Sequence, residues 1–285
     1  MATKPSPPLA EGVDLPRPLQ LIATDMDGTL TRAGKFTADL LQALERLQRL
    51  GLPVVIVTGR SAGWVSGLVH YLPVAGAIAE NGGVYLAAGQ PPEILTAGLD
   101  LDHHRAQLSQ AFSQLQAQWP QLQPSEDNPF RLTDWTFPVG GLGWEELAAL
   151  QQTCQQWGWG FTYSTVQAHL FSPGQTKAGA LQQVLGRYFP SLTREGVLTV
   201  GDSPNDESLF DRRYFPYSLG VANIQHYWTQ LRYHPTWVSQ APELDGFLEL
   251  VALAVATSQG PETSWNTCPS EASIDQPCPE GSGQD

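Results

Sequence analysis

The stretch from Leu19 to Thr31 constrains the fold of this chain most. A mostly apolar run, Leu19, Leu21, Ile22 and Ala23, delivers the chain into Asp25-Met26-Asp27-Gly28-Thr29. A run of that length ahead of a glycine turn predicts a buried strand of a parallel sheet, because such strands are covered on both faces and read as continuous hydrophobic segments. The same construction recurs. Val54-Val55-Ile56-Val57 leads into Thr58-Gly59-Arg60-Ser61, and Val197-Leu198-Thr199-Val200 leads into Gly201-Asp202-Ser203-Pro204-Asn205-Asp206. Between the first two lies Ala38 to Leu50, with Leu40, Leu41, Leu44, Leu47 and Leu50 at helical spacing and Gly51 where a C-cap belongs. Strand, helix and strand in alternation predict an α/β fold, and open α/β sheets bind ligands beyond the carboxyl ends of their strands. The acids fall there.

Two carboxylates two residues apart cannot both be ionised cheaply in a partly dry pocket without compensation, and an oxygen-ligated cation such as Mg²⁺ supplies it. With its charge neutralised, Asp25 can attack a phosphorus atom, while Asp27 can give a proton to the leaving oxygen and later take one from water. A lone Asp-x-Asp-Gly serves equally as a helix cap or turn, so the other segments decide. Thr58 offers a hydroxyl, and its neighbours offer backbone N–H groups ahead of a helix, a cradle for a phosphate oxygen that is also a common turn. Lys177 sits in the first turn of a helix opened by Gln175 or Thr176. A cation there opposes the helix dipole; a phosphate shared with the helix end accounts for it, and an ordinary surface lysine is the alternative. Asp202 and Asp206, four residues apart, can point into one crevice or simply favour a helix N-terminus.

Residues 1–18 are proline-rich and aperiodic, which predicts a flexible lead. The core is expected over 19–83 and 173–255, with a third strand over Ala75 to Ala79 and a turn at Glu80-Asn81-Gly82-Gly83. Leu219 to Ala222 and Trp237-Val238 read as further strands, and Phe247 to Ala256 as a closing helix. Over 84–172 the texture changes, with five of the nine tryptophans and many glutamines. The pattern predicts a second domain: a strand at Val84-Tyr85-Leu86, a helix from Asp102 to Trp119, a strand over Phe130 to Phe137, a helix from Trp144 to Trp157, and two strands across Phe161 to Phe171. Helices grouped with short strands suggest a small α+β layer. Residues 256–285, rich in Gly, Pro, Ser, Thr and acid, predict a disordered acidic tail.

The formal charge of −13 is partly that tail's, which holds five acids and no Lys or Arg. An acidic surface disfavours nucleic acid and anionic membranes as partners. Cys154, Cys268 and Cys278 form no ligand cluster, and no segment has the length and apolarity of a signal peptide or membrane span, so a cytoplasmic location is expected.

Taken together, Asp25-Met26-Asp27-Gly28-Thr29, Val57-Thr58-Gly59-Arg60, Lys177 and Gly201-Asp202-Ser203-Pro204-Asn205-Asp206 resemble, in order and spacing, the four motifs of the haloacid dehalogenase superfamily of phosphohydrolases. The resemblance spans roughly Leu19 to Ala256. Only 33 positions separate Asp25 from Thr58, whereas 119 separate Thr58 from Lys177, so the chain is similar to the branch with its α+β cap between the second and third motifs. Members of that branch include sucrose-phosphate, mannosyl-phosphoglycerate, phosphoglycolate and broad sugar-phosphate phosphatases.

The resemblance implies a Rossmann-like parallel-sheet core with a smaller inserted cap. It implies Asp25 as the nucleophile that forms an aspartyl-phosphate, and Asp27 as general acid and base. Thr58, Gly59, Lys177 and Asn205 would hold phosphoryl oxygens. Mg²⁺ would be bound by Asp25, the Asp27 backbone carbonyl and Asp202, with Asp206 at the metal or positioning Lys177. In the cap, Arg131, Asp134, Gln167 and His169 are candidates for the leaving group of a small phosphorylated metabolite: a sugar phosphate, a glycosyl-phosphoglycerate or phosphoglycolate. Two other readings share the motifs. A phosphomutase or phosphotransferase would pass the phosphoryl group to a second hydroxyl, and a non-catalytic partner of a sugar-phosphate synthase would have lost a key acid, which this chain has not. Oligomeric state has no signal in the sequence.

Overall fold

Burial on both faces turns the apolar runs into a sheet. The computed structural model describes residues 6–9 and 15–258. In chain order its elements are Leu21–Thr24 (β1), Ala38–Arg49 (α1), Val54–Val57 (β2), Ala62–Tyr71 (α2), Gly76–Ala79 (β3), Val84–Leu86 (β4), Glu93–Ile94 (β5), Leu101–Gln118 (α3), Asp134–Pro138 (β6), Trp144–Gln156 (α4), Gly160–Tyr163 (β7), Gln167–Phe171 (β8), Lys177–Tyr188 (α5), Val197–Gly201 (β9), Tyr217–Gly220 (β10), Trp237–Val238 (β11) and Glu243–Ser258 (α6), with short 3₁₀ helices between.

An eight-stranded sheet runs in the order β11-β10-β9-β1-β2-β3-β4-β5. From β11 to β3 all neighbours are parallel. Successive strand residues enter opposite cores: Ile22, Val54 and Ile56 join Leu40, Leu44, Leu47, Val65 and Phe247 of α1, α2 and α6, while Leu21, Ala23, Val55 and Val57 join Leu181 and Val184 of α5. Each such large aliphatic side chain contributes about 1.5–3 kcal/mol by leaving water. Because β1 is flanked by β2 on one side and β9 on the other, the chain order reverses at β1. A crevice opens at the carboxyl end of the central strand at such a reversal.

A separate antiparallel sheet, β6-β8-β7, forms the inserted unit. Its strands alternate. Phe137, Ala168 and Leu170 pack with Leu108, Phe112 and Leu115 of α3 and Leu147 and Leu150 of α4, so the intervening Asp134, Thr136, Gln167 and His169 share the opposite face. That polar face meets the crevice.

Three boundaries differ from the sequence-based expectation. Val84–Leu86 does not begin the insert; it turns back antiparallel along β3 and is followed by β5, which widens the large sheet. Part of the proline-rich lead is pinned: Leu9 N–H donates to Val238 O at 2.7 Å, Val238 N–H donates to Pro7 O at 3.1 Å, and Leu9 and Leu15 are buried. Helix α6 continues to Ser258, past the expected start of the tail; the remainder of that tail, with Cys268 and Cys278, lies outside the described residues. No described helix is long and apolar enough to cross a membrane.

Candidate active site

Asp25 follows β1 directly, its N–H held by Val200 O at 2.9 Å, and its side chain is buried. Lys177, at the first residue of α5, reaches it: Nζ donates to Asp25 Oδ1 at 2.6 Å and to Asp206 Oδ1 at 2.7 Å. The helix start is fixed by Thr176, whose hydroxyl accepts from Gly179 N–H at 3.1 Å. Two buried carboxylates therefore offset both the burial of Lys177 and its unfavourable place on the helix dipole. Burial draws the Lys177 ammonium toward losing its proton, but Asp206 and Asp25 outweigh it and hold the group more firmly charged than usual.

Asp202 completes a cluster. Ligand atoms of Asp25, Asp202 and Asp206 lie within 4.8 Å of one another. Two close approaches make this possible. A Cβ on Gly28, whose φ is +78°, would lie 2.4 Å from Asp202 Oδ2, and one on Gly201 would lie 2.5 Å from the Asp206 side chain. Both positions require glycine. Asp206 is fully engaged, since its Oδ2 accepts from the N–H groups of Asp202 at 2.9 Å and Ser203 at 3.2 Å while its Oδ1 holds Lys177. Asp202 Oδ2 accepts from Asn223 Nδ2 at 2.8 Å, and the same amide donates to Gly28 O at 3.1 Å.

Three buried acids with one lysine leave excess negative charge. Burial, then repulsion from Asp206, pushes Asp25 up to about 7 against the pull of Lys177; burial and the Asp25 charge push Asp202 well above the carboxylate range. Oxygen ligands in a dry, over-acidic cluster fit a hard divalent cation. Asp25 and Asp202 would hold it, with Asp206 anchoring Lys177 beside them.

Asp27 points elsewhere. Both its oxygens accept from Arg60, Oδ2 from Nε at 2.8 Å and Oδ1 from Nη2 at 2.6 Å, so an acid–base role needs that ion pair to open. Thr58 is buried and its Oγ1 accepts from Arg60 N–H at 3.2 Å. Asn205 Nδ2 donates to Asn81 Oδ1 at 3.1 Å.

The four insert candidates divide. Gln167 and His169 line the active-site pocket together with Asp25, Asp27, Thr58, Gly59, Arg60, Ser164, Val166 and Asn205. Arg131 and Asp134 do not. Arg131 is bound by Asp127 at 2.7 Å, by both oxygens of Asp134 at 2.9 and 3.0 Å, by Gln167 Oε1 at 2.9 Å and by Gly59 O at 2.9 Å. Asp134 also takes His169 Nδ1 at 2.8 Å. Their polar groups are spent on one another, so they stand behind the pocket wall and set the orientation of His169 and Gln167. Burial raises the Asp134 carboxyl, but Arg131 and His169 outweigh it and hold it below its ordinary range.

Sequence reasoning left Arg60, Glu80, Asn81 and Asn223 without roles. Arg60 and Asn81 lay within quoted segments, yet neither partner was close in sequence. Glu80 is fully buried with φ +53° and joins core to insert: its carboxylate accepts from the N–H groups of Ala62 (2.9 Å), Leu132 (3.0 Å) and Thr133 (2.6 Å) and from Thr133 Oγ1 (2.7 Å). Burial raises its pKa even so. Asn223 lies in the short 3₁₀ helix Ala222–Tyr227, which has no periodic signal in the sequence.

Residues 22–113 match the family model described as haloacid dehalogenase-like hydrolase. The chain is 25% identical over 257 residues to a phosphoglycolate phosphatase of Aeropyrum pernix, covering 85% of this chain and 96% of that protein. Among solved structures, Thermoplasma acidophilum 0175 superposes with a TM-score of 0.63 at 21% identity, over 82% of this chain and 99% of that one. The sucrose-phosphatase of Synechocystis superposes at 0.59 with 18% identity, over 83% and 98%; these two establish likeness of fold. The chain is thus similar to haloacid dehalogenase-like hydrolases over residues 22–113, to phosphoglycolate phosphatases over most of its length, and in fold to these two solved structures.

Proposed function

We propose that this enzyme is a Mg²⁺-dependent phosphomonoesterase that acts through an aspartyl-phosphate on Asp25. The supporting observation is the Asp25–Lys177–Asp206 contact inside a cluster that also holds Asp202. It presents one carboxylate oxygen to an incoming phosphorus and keeps a fixed cation beside it. In the first step Asp25 attacks phosphorus, the ester P–O bond breaks, and Asp27, released from Arg60, protonates the leaving oxygen. In the second, Asp27 takes a proton from water as that water attacks phosphorus, the Asp25–phosphorus bond breaks, and phosphate leaves. Lys177 and the Thr58 hydroxyl meet the phosphoryl oxygens, with Gly59 and Asn205 beside them. A bound Mg²⁺ supplies charge neutralisation for the phosphate dianion against the acids.

The substrate is a small phosphorylated metabolite such as a sugar phosphate, a glycosyl-phosphoglycerate or phosphoglycolate. The pocket favours a small leaving group, its cavity under Gln167, His169 and Val166 having a volume of only about 10 Å³. Phosphate release from a panel of such metabolites, in Mg²⁺ and in EDTA, beside Asp25→Asn, tests the reading. Release that needs Mg²⁺ and disappears in the variant is expected. Release undiminished in Asp25→Asn overturns the nucleophile.

A further inference from the structure

Arg60 stands at the junction of two spaces. One is the reaction pocket with Asp25, Asp27 and Thr58; the other is an adjoining groove of about 480 Å³, where Arg60, Val166 and Gln167 continue past Trp64 and Phe130. The reaction pocket has a volume of only about 10 Å³, so a leaving group that outgrows it meets Arg60. Among the described residues lining either space, Arg60 is the only lysine or arginine. The two other cations nearby are fully buried, Lys177 between Asp25 and Asp206 and Arg131 between Asp127 and Asp134.

The partner that Arg60 holds is the acid that the reaction needs. Its Nε and Nη2 donate side by side to both oxygens of Asp27, at 2.8 and 2.6 Å, the fork that a guanidinium presents to one carboxylate. Asp27 cannot turn to a leaving oxygen until Arg60 takes another acceptor. Both side chains are 21% exposed, so a solute can reach the pair. The guanidinium carbon also lies 4.7 Å from the centre of the Trp64 ring, a cation–π contact that keeps the group in place when its carboxylate is exchanged.

We propose that Arg60 exchanges Asp27 for a carboxylate on the leaving group, so that the phosphomonoester of a small hydroxy-acid both anchors itself on Arg60 and frees Asp27 for the leaving oxygen. The inference rests on the phosphatase reading with Asp27 as its acid. An Asp27 oxygen that meets the leaving oxygen is one hydrogen bond from it and one from Arg60, which puts Arg60 about 5–6 Å from that oxygen. A carboxylate borne by the ester carbon covers this distance with one hydrogen bond of its own. A neutral hydroxyl or amide makes a hydrogen bond roughly half as strong and leaves Asp27 the better acceptor. Two further acids line the groove. Asp127 is a rival acceptor whose charge already acts on Arg60, but it is spent on Arg131 Nη2 at 2.7 Å and Gln167 Nε2 at 3.2 Å. Glu126 is exposed, and solvent screens it.

Phosphoglycolate and its amide, carbamoylmethyl phosphate, isolate the carboxylate. In phosphate release with Mg²⁺, kcat/KM of the native enzyme should be about 10–100-fold higher for phosphoglycolate, the worth of a charged hydrogen bond. Part of that preference should lie in kcat, because the carboxylate frees Asp27 as well as binding. In Arg60→Met the phosphoglycolate-to-amide ratio should fall to one or below. In Arg60→Lys, which keeps the charge and loses the fork, it should be intermediate. Taking a ratio removes any general loss of rate. A native ratio of one or less, the result if Arg60 moves to Asp127 instead, overturns the exchange while leaving the phosphatase reading intact. So does a preference carried by KM alone, or a ratio unchanged in folded Arg60→Met. If Arg60→Met does not fold, the native comparison and Arg60→Lys decide. No Asp25-dependent release from either ester or from acetyl phosphate overturns both.

Discussion

The excess charge in the acid cluster makes metal affinity and stability depend jointly on pH. Asp25 is raised to about 7 from 3.8, so between about pH 4 and 7 the metal-free folded state keeps a proton that the unfolded chain has lost. Stability of the metal-free protein therefore falls as pH rises through that window and levels off above it. Each pH unit costs about 1.4 kcal/mol for one such group, and the whole span about 4 kcal/mol. Asp202 shifts in the same direction and adds to the slope. Mg²⁺ needs the ionised carboxylates, so its stabilisation should grow over the same window. For a chain of this size 1 kcal/mol moves the melting temperature by about 2–4 °C. The gap between melting temperatures in saturating Mg²⁺ and in EDTA should widen by about 3–5 °C per pH unit from pH 5 to 7 and then flatten. Calorimetric or fluorescence melts read it directly, and Asp202→Asn should shrink the gap. A gap constant from pH 5 to 8 would refute the assignment of the cluster as a protonated, cation-seeking site.

Replacing Lys177 by Met leaves three buried carboxylates without their lysine. A loss of about 3–5 kcal/mol is expected in urea unfolding in EDTA at pH 8, and a smaller loss at pH 5, where the acids are protonated. Gly28→Ala forces a left-handed backbone on alanine and drives its Cβ into Asp202; about 1–3 kcal/mol of stability should be lost, and Mg²⁺ titration should show weakened binding. Glu80→Gln turns an amide donor toward N–H donors, and a melt should show a cost of about 1–3 kcal/mol.

Much of the parallel core was legible because Val54–Val57 and Val197–Val200 supply side chains to two opposite cores, which only continuous apolar runs can do. The return of Val84–Leu86 along β3 was not. A three-residue segment buried on both faces reads the same in either sheet, and strand direction leaves no trace in its periodicity. The pinned lead escaped for a related reason, since Leu9 is a single apolar residue held by β11, more than two hundred positions away. In the site, Asp25, Lys177, Asp202 and Asp206 were visible because each sits at an element end, where local sequence announces position. The Arg60 grip on Asp27 and the Asn223 bridge from Gly28 to Asp202 depend on side-chain reach across loops. Arg131 and Asp134, expected from the sequence to contact the leaving group, instead bond to one another, Arg131 from ahead of β6 and Asp134 at its first residue; such mutual hydrogen bonds cannot be told from ligand contacts until both residues are placed.

The buried carboxylate of Glu80 also limits how the enzyme can admit a substrate. It fastens the chain at Leu132 and Thr133 to the start of α2, and Gln175 Nε2, in the segment that returns from the insert to α5, donates to Glu80 O at 2.6 Å. Lifting the insert away as a whole would strip several hydrogen bonds from one desolvated acid. The β7–β8 turn is tied differently: Ser164 and Val166 make their hydrogen bonds within the insert, and Val166 is exposed while lining the pocket. Of the pocket walls, the one at Ser164 and Val166 is thus the one whose hydrogen bonds an entering leaving group need not break, whereas the one behind it is fastened at Glu80.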